Sequence, residues 1–224
     1  GVCGHNITRK GVVVVEMPTA TSVTLSVSAS KLAKSGDAAT SSPFSLPSTA
    51  TVSITVNFAD GSSQSFSSPS FDSRAVLNVT SGASLVTLTN NVLSVSSSAV
   101  TGSVTVRVSF PGVYTVTSSV TLTIVSYSST TISVGPYPTV SGMSTSTTIH
   151  QIGCSGVYQR LSLSASGRLS DNTVSDVTGQ SVFVSSSTAV ASLSSTVLYG
   201  VGPGSTSITG SFHGQTSPAI VVTV

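Results

Sequence analysis

The stretch from Val182 to Val224 reads VFVSSSTAVASLSSTVLYGVGPGSTSITGSFHGQTSPAIVVTV. Apolar and small polar residues alternate along it in short runs, as at Val182 and Val184, Val197 to Val201 and Ile220 to Val224, with Gly and Pro between the runs. A two-residue period puts every second side chain on one face, so each run reads as a strand with one buried side. A helix would need apolar residues three and four apart, and the β-branched Val and Thr disfavour it.

The same pattern extends outward to the start of the chain. Strands are expected at Ser22 to Ala29, Thr51 to Phe58, Gln64 to Phe66, Ala75 to Val79, Leu85 to Leu88, Val92 to Val95, Val104 to Phe110 and Val116 to Val125. Asp60-Gly61 marks a hairpin turn, Pro111-Gly112 separates the last two strands, and Lys31 to Pro47 reads as a polar, Pro-punctuated loop. About seven short strands at spacings near ten residues, with no helix-period segment between them, is the count of an immunoglobulin-like sandwich. The chain restarts after Tyr127, with strands at Thr131 to Val134 and Gln159 to Ala165 leading back to the closing stretch.

The restart is a repeat. Ala83 to Val125 and Ala191 to Val224 share Ala-Ser-Leu, a Val-Leu pair, Gly-Ser before an alternating strand, Phe-x-Gly at a turn and an apolar closing strand. The expected fold is therefore all-β: an N-terminal tail with an extended strand (1–20), a first sandwich (21–125) and a second (126–224). Ser126 to Ser129 is all that remains as a linker, so the two should form an elongated body with little freedom between them.

The run Val184-Ser185-Ser186-Ser187, then Val190-Ala191 and Leu193, then Val201-Gly202-Pro203-Gly204-Ser205-Thr206-Ser207-Ile208-Thr209, resembles the group 2 bacterial immunoglobulin-like family. The resemblance covers the last fifth or so of the chain, and the Gly202 to Thr206 turn is its most specific part. It implies an Ig-like fold, and because that family is common in adhesins, it implies a spacer or stalk of a larger cell-surface protein as one reading of function.

Composition narrows the other classes. Hydrophobic residues make up 38% and charged residues only 6%, with a net charge of +2, so hydration must rest on hydroxyls and backbone. Scattered Lys and Arg give no footprint for nucleic acid or an anionic membrane. No apolar run approaches the roughly 20 residues of a membrane-spanning helix. The Ser/Thr richness and the sequons at Asn6 and Asn78 point to a secreted, cell-surface glycoprotein. Thr40 to Pro43 and Pro136 to Thr139 are candidates for O-linked sugars.

The internal repeat also makes Val12, Val13, Val14 and Val15 look like a closing strand without a domain of its own. A bare apolar strand is a template for pairing. It is either an ordinary first strand folded back on its own domain, or a remnant of a preceding domain in a longer multidomain chain, or it adds to a neighbouring subunit. Repeated head to tail, addition to a neighbour builds a filament of identical subunits. Cys3 and Cys154, the two cysteines, fit a disulfide in an oxidising compartment. A tail would have to run back over the first sandwich to close that bond within one chain. An intersubunit bond is therefore favoured over an intrachain bond or two free thiols.

Chemistry is scarce. Glu16, Asp37, Asp60, Asp72, Asp171 and Asp176 are spread through turn contexts, where Asp serves local hydrogen bonding. Asp171 and Asp176 form at best a weak cation site. His5, His150 and His213 lack metal-ligand spacing, and Gly200, Gly202 and Gly204 lie between strands rather than ahead of a helix. No catalytic residue, metal or cofactor is expected.

Overall fold

A computed structural model describes residues 18–66, 74–138 and 146–224. Cys3, His5, Asn6, Val12, Val13, Val14, Val15, Glu16 and Asp72 lie outside the described residues.

The first half contains β1 (Ala20–Val27), β2 (Lys31–Ala33), β3 (Thr49–Phe58), β4 (Ser63–Phe66), β5 (Val76–Ser81), β6 (Val86–Thr89), β7 (Val92–Val95), β8 (Gly102–Phe110) and β9 (Tyr114–Val125). One sheet runs β1-β3-β7-β6 with β4 hairpinned onto β3, and the facing sheet runs β2-β9-β8-β5. All pairings are antiparallel except that of β2 with β9. This order, with its Greek-key crossovers between two sheets, is that of an Ig-like sandwich. Alternation does the packing: Val52, Ile54 and Val56 of β3 and Val104, Val106 and Val108 of β8 are buried in one shared core.

The second half contains β10 (Tyr127–Tyr137), β11 (Arg160–Leu169), β12 (Val174–Asp176), β13 (Val182–Ser185), β14 (Ala191–Ser194), β15 (Val197–Gly200), β16 (Ser205–Phe212), β17 (Gln215–Thr216) and β18 (Ile220–Thr223). One sheet runs β10-β11-β15-β14 with β12 on β11, and the other joins β13, β16, β17 and β18. Leu161, Leu163, Leu198, Ile208 and Val222 fill the core. The two halves share their topology, with β17 and β18 together in the place of β9. Even the parallel β2–β9 pairing has a counterpart, a single parallel bridge between Thr148 and Thr223.

The repeat holds at the level of register. Leu93 lies opposite Ala50 and Leu88, and Leu198 lies opposite Leu161 and Leu193. Leu193 is thus equivalent to Leu88, three positions beyond the Leu85 that the Ala-Ser-Leu match selects.

Two expectations change at the centre of the molecule. Ser126 alone separates β9 from β10, and Tyr127 already belongs to β10. The segment from Lys31 to Pro47 is not only a polar loop. It holds β2 and a 3-10 turn at Ala38–Thr40, and Leu32, Ala33, Ala38 and Ala39 are buried. A three-residue strand is too short to display a period, and its buried alanines look like loop residues in sequence.

Candidate functional site

β11 has two ends, and each has a different surrounding. At its C-terminal end Leu169 packs with Ala33, Ala39 and Val125 of the first half, against Phe44, Leu46 and Tyr127. A second cluster joins Ala38 to Ala165, Val177 and Phe212. Tyr127 is the shared piece, with its ring 5.9 Å from Phe44 and 5.2 Å from Phe212. Asp37 locks the backbone here, because its Oδ1 accepts from the amides of both Ala39 (2.8 Å) and Tyr127 (2.9 Å). At the margin, Lys31 Nζ lies 2.5 Å from Asp171 Oδ2. Its hydrogen bond, seconded by the Thr173 amide, holds the Asp171 carboxyl down to about 2. The join is a packed interface.

The segment chosen for O-linked sugars near Thr40 is part of that interface. Thr40 donates its hydroxyl to the Asp37 carbonyl at 2.7 Å and is half-buried. The other carboxylates also serve turns. Asp60 accepts from the hydroxyl and amide of Ser62, and Asp176 from Thr178, and these bonds lower both carboxyls. Asp171 and Asp176 therefore have separate partners. Among the described residues no group of three or more His, Cys, Asp or Glu side chains could hold a metal ion. No helix among them is long and apolar enough to cross a membrane.

The N-terminal end of β11 is the opposite pole of the second half. Arg160 starts the strand nine residues before Leu169, about 30 Å away at strand rise. Next to it is a cavity of about 400 Å³ lined by Pro136, Tyr137, Ile152, Val157, Tyr158 and Leu161 among others. Ile152 and Val157 are 55% and 53% exposed and stand side by side at the cavity mouth, while other exposed aliphatics such as Val100, Val182 and Val221 lie elsewhere on the described surface. Ile152 and Val157 bracket a small hairpin, bridged from Gln151 to Tyr158 and closed by Ile152 N donating to Val157 O at 2.7 Å. Cys154 is exposed at its tip, between Gly153 (φ 60°) and Gly156 (φ 75°), whose left-handed backbone only glycine adopts freely.

The cavity floor is built from close packing. Gly200 lets β15 approach this hairpin, since a Cβ there would lie 2.7 Å from Tyr158 Cβ and 2.9 Å from Ile149 Cγ2. Across the neighbouring strands Tyr137, Arg160 and Tyr199 form one cross-strand row, and the Arg160 guanidinium stacks 4.7 Å from the Tyr199 ring centre. Among the described residues, no carboxylate pairs with Arg160. Three of the five tyrosines (Tyr137, Tyr158, Tyr199) thus collect at one pole. Scattered through the sequence, they give no motif.

The described cysteine, Cys154, stands at this pole, and so does the chain's last residue. Val224 exchanges backbone bonds with Gly204 at 2.8 and 3.1 Å, ahead of β16, whose other end, Phe212, lies in the join. Ala20 pairs with Phe58, at the end of β3 that points away from the join. The described chain thus enters at one pole and leaves at the other. Asn78 is exposed on β5, an edge strand.

No family model matches the sequence, and no curated protein matches it. Solved structures that match include the C-terminal 282-residue fragment of intimin in complex with the translocated intimin receptor intimin-binding domain, at 16% identity and a TM-score of 0.32. The match covers 91% of this chain and 64% of that one. The S-layer protein rSbsC(31–844) is 16% identical at a TM-score of 0.37, with 92% and 27% covered, and domains 6–7 of SbsC are 13% identical at 0.32, with 90% and 97% covered. The chain therefore spans less than two thirds of the intimin fragment and about a quarter of the longer S-layer chain.

Proposed function

We propose that this chain is a structural subunit of an extracellular filament, assembled head to tail when the Val12 to Val15 strand of one subunit enters the next. The observation that carries the reading is the path of the chain. It enters at one pole and leaves at the other through a packed join, so end-to-end contacts extend the body along its length. Low charge supports it too, because subunits with a net charge of only +2 repel one another weakly. The sandwich boundaries we adopt are residues 21–125 and 126–224, and we read the second as a member of the group 2 bacterial Ig-like family. Secretion, a Cys3 to Cys154 bond and N-linked sugars at Asn6 and Asn78 belong to the same reading. The exposure of Asn78 supports it, because a glycan there would shield the β5 edge.

Negative-stain imaging and sedimentation of the purified full chain test this function. Filaments or concentration-dependent oligomers are expected. A strictly monomeric rod favours instead a spacer or stalk of a larger surface adhesin, a reading that the same pole-to-pole path supports. Intact mass equal to that of the bare polypeptide would remove the glycans from the proposal.

A further inference from the structure

We propose that the cavity beside Arg160 is the acceptor for residues 12–16 of a second copy of this chain, a site that rests on the strand-donation reading above. The donor segment, Val12-Val13-Val14-Val15-Glu16, is four aliphatic residues followed by one of only six acidic residues in the chain. The acceptor offers matching chemistry. An apolar cavity of about 400 Å³ opens beside the exposed Ile152 and Val157, and the guanidinium of Arg160 stands at its rim without a carboxylate partner among the described residues. In an extended donor, alternate valines face the cavity while the others face out. Glu16 then meets Arg160, whose guanidinium lies over the Tyr199 ring and has no carboxylate partner among the described residues.

The cysteines agree with this register. Cys3 precedes Val12 by nine residues, a reach of up to about 30 Å when extended, and Cys154 sits on the hairpin whose two sides line the cavity. Its own chain presents residue 18 at the far pole, beyond the whole of the first half. A second copy arriving end to end brings its Cys3 to Cys154 directly. The bond forms by two-electron oxidation of two thiols, with molecular oxygen or a disulfide of the secretory compartment as the oxidant.

The test uses the full chain in four variants: Glu16→Arg, Arg160→Glu, the double reversal, and one with Val12 to Val15 all changed to Ser. The readout is the concentration for half-assembly by sedimentation, with circular dichroism confirming that each variant is folded. Each single reversal should raise that concentration about ten-fold or more, and the double reversal should return it to within about three-fold of the parent. A four-serine variant that assembles normally overturns strand donation itself. If that variant is monomeric while Arg160→Glu assembles like the parent, or if the double reversal fails to rescue, the acceptor site is overturned and donation stands. A parent that is monomeric at every concentration overturns both. Independently of these variants, assembly from a mixture of light and 15N-labelled chains should yield mixed-isotope Cys3–Cys154 peptides. Only uniform pairs would overturn the proposed register.

Discussion

At the scale of single residues, hydroxyls do the work that charges do in most surfaces. Thr206 is buried, and its Oγ1 accepts from the Ser187 amide at 2.9 Å while bonding Ser185 and Ser186 at 3.0 and 3.1 Å. The Ser-Ser-Ser run is thus a clip that fastens the end of β13 to β16. Thr206→Val keeps the shape but strands the Ser187 amide, and a loss of about 1–3 kcal/mol is expected in the unfolding of the second half by urea. Asp171 shows how the few ions act. Its folded value of about 2 lies below the ordinary 3.8, so its contribution is complete above about pH 4 and drains as the pH falls towards about 2. Because Lys31 is exposed, that contribution is less than about 1 kcal/mol. In Lys31→Met, the carboxyl carbon resonance of Asp171 should titrate closer to the ordinary value. An unchanged midpoint would show that Lys31 is not the cause.

At the scale of elements, the β6–β7 and β14–β15 hairpins test how deep the repeat goes. Both place one non-glycine residue in the left-handed region, Asn90 (φ 56°) between β6 and β7 and Ser195 (φ 55°) between β14 and β15. Asn tolerates that conformation better than Ser. Ser195→Asn should therefore stabilise the second half by roughly 0.5 kcal/mol in thermal or urea unfolding, and a loss would mean the side chain clashes with its own hairpin. The strands that carried the core were legible because alternation is visible over four or more residues, as in Val52, Ile54 and Val56 or in Thr206 to Phe212. The turn at Asp60-Gly61 was legible for its chemistry, and Gly61 sits at φ 82° between β3 and β4. What escaped was short or non-local. β2 is three residues long, and its partner β9 is about 90 residues away in sequence. The tyrosines at Arg160 meet only through strand register, so no spacing in the chain announces them. Val12 to Val15 and Cys3 stood out in sequence, but the pole they would meet became visible only once β10, β11 and the Cys154 hairpin were placed together.

At the scale of the whole molecule, the join decides how the two halves behave. A bare linker would let each sandwich unfold alone, whereas clusters that draw side chains from both halves tie one unfolding to the other. Phe44 and Asp37 are the pieces contributed by the segment between β2 and β3, and both act on Tyr127, the first residue of β10. Removing them takes away a ring contact and the acceptor of two amides without touching either central core. Wild-type protein is therefore expected to show one coupled calorimetric transition, and Phe44→Ala combined with Asp37→Ala two separated ones, with the destabilisation of each change about 1–3 kcal/mol. Small-angle scattering should report the same loss as a broader distribution of end-to-end distances. Two resolved transitions already present in the wild type would mean that the clusters cover the join without coupling it. A stiff join matters for any end-to-end assembly, because bending at every subunit would dissipate the direction that the two poles define.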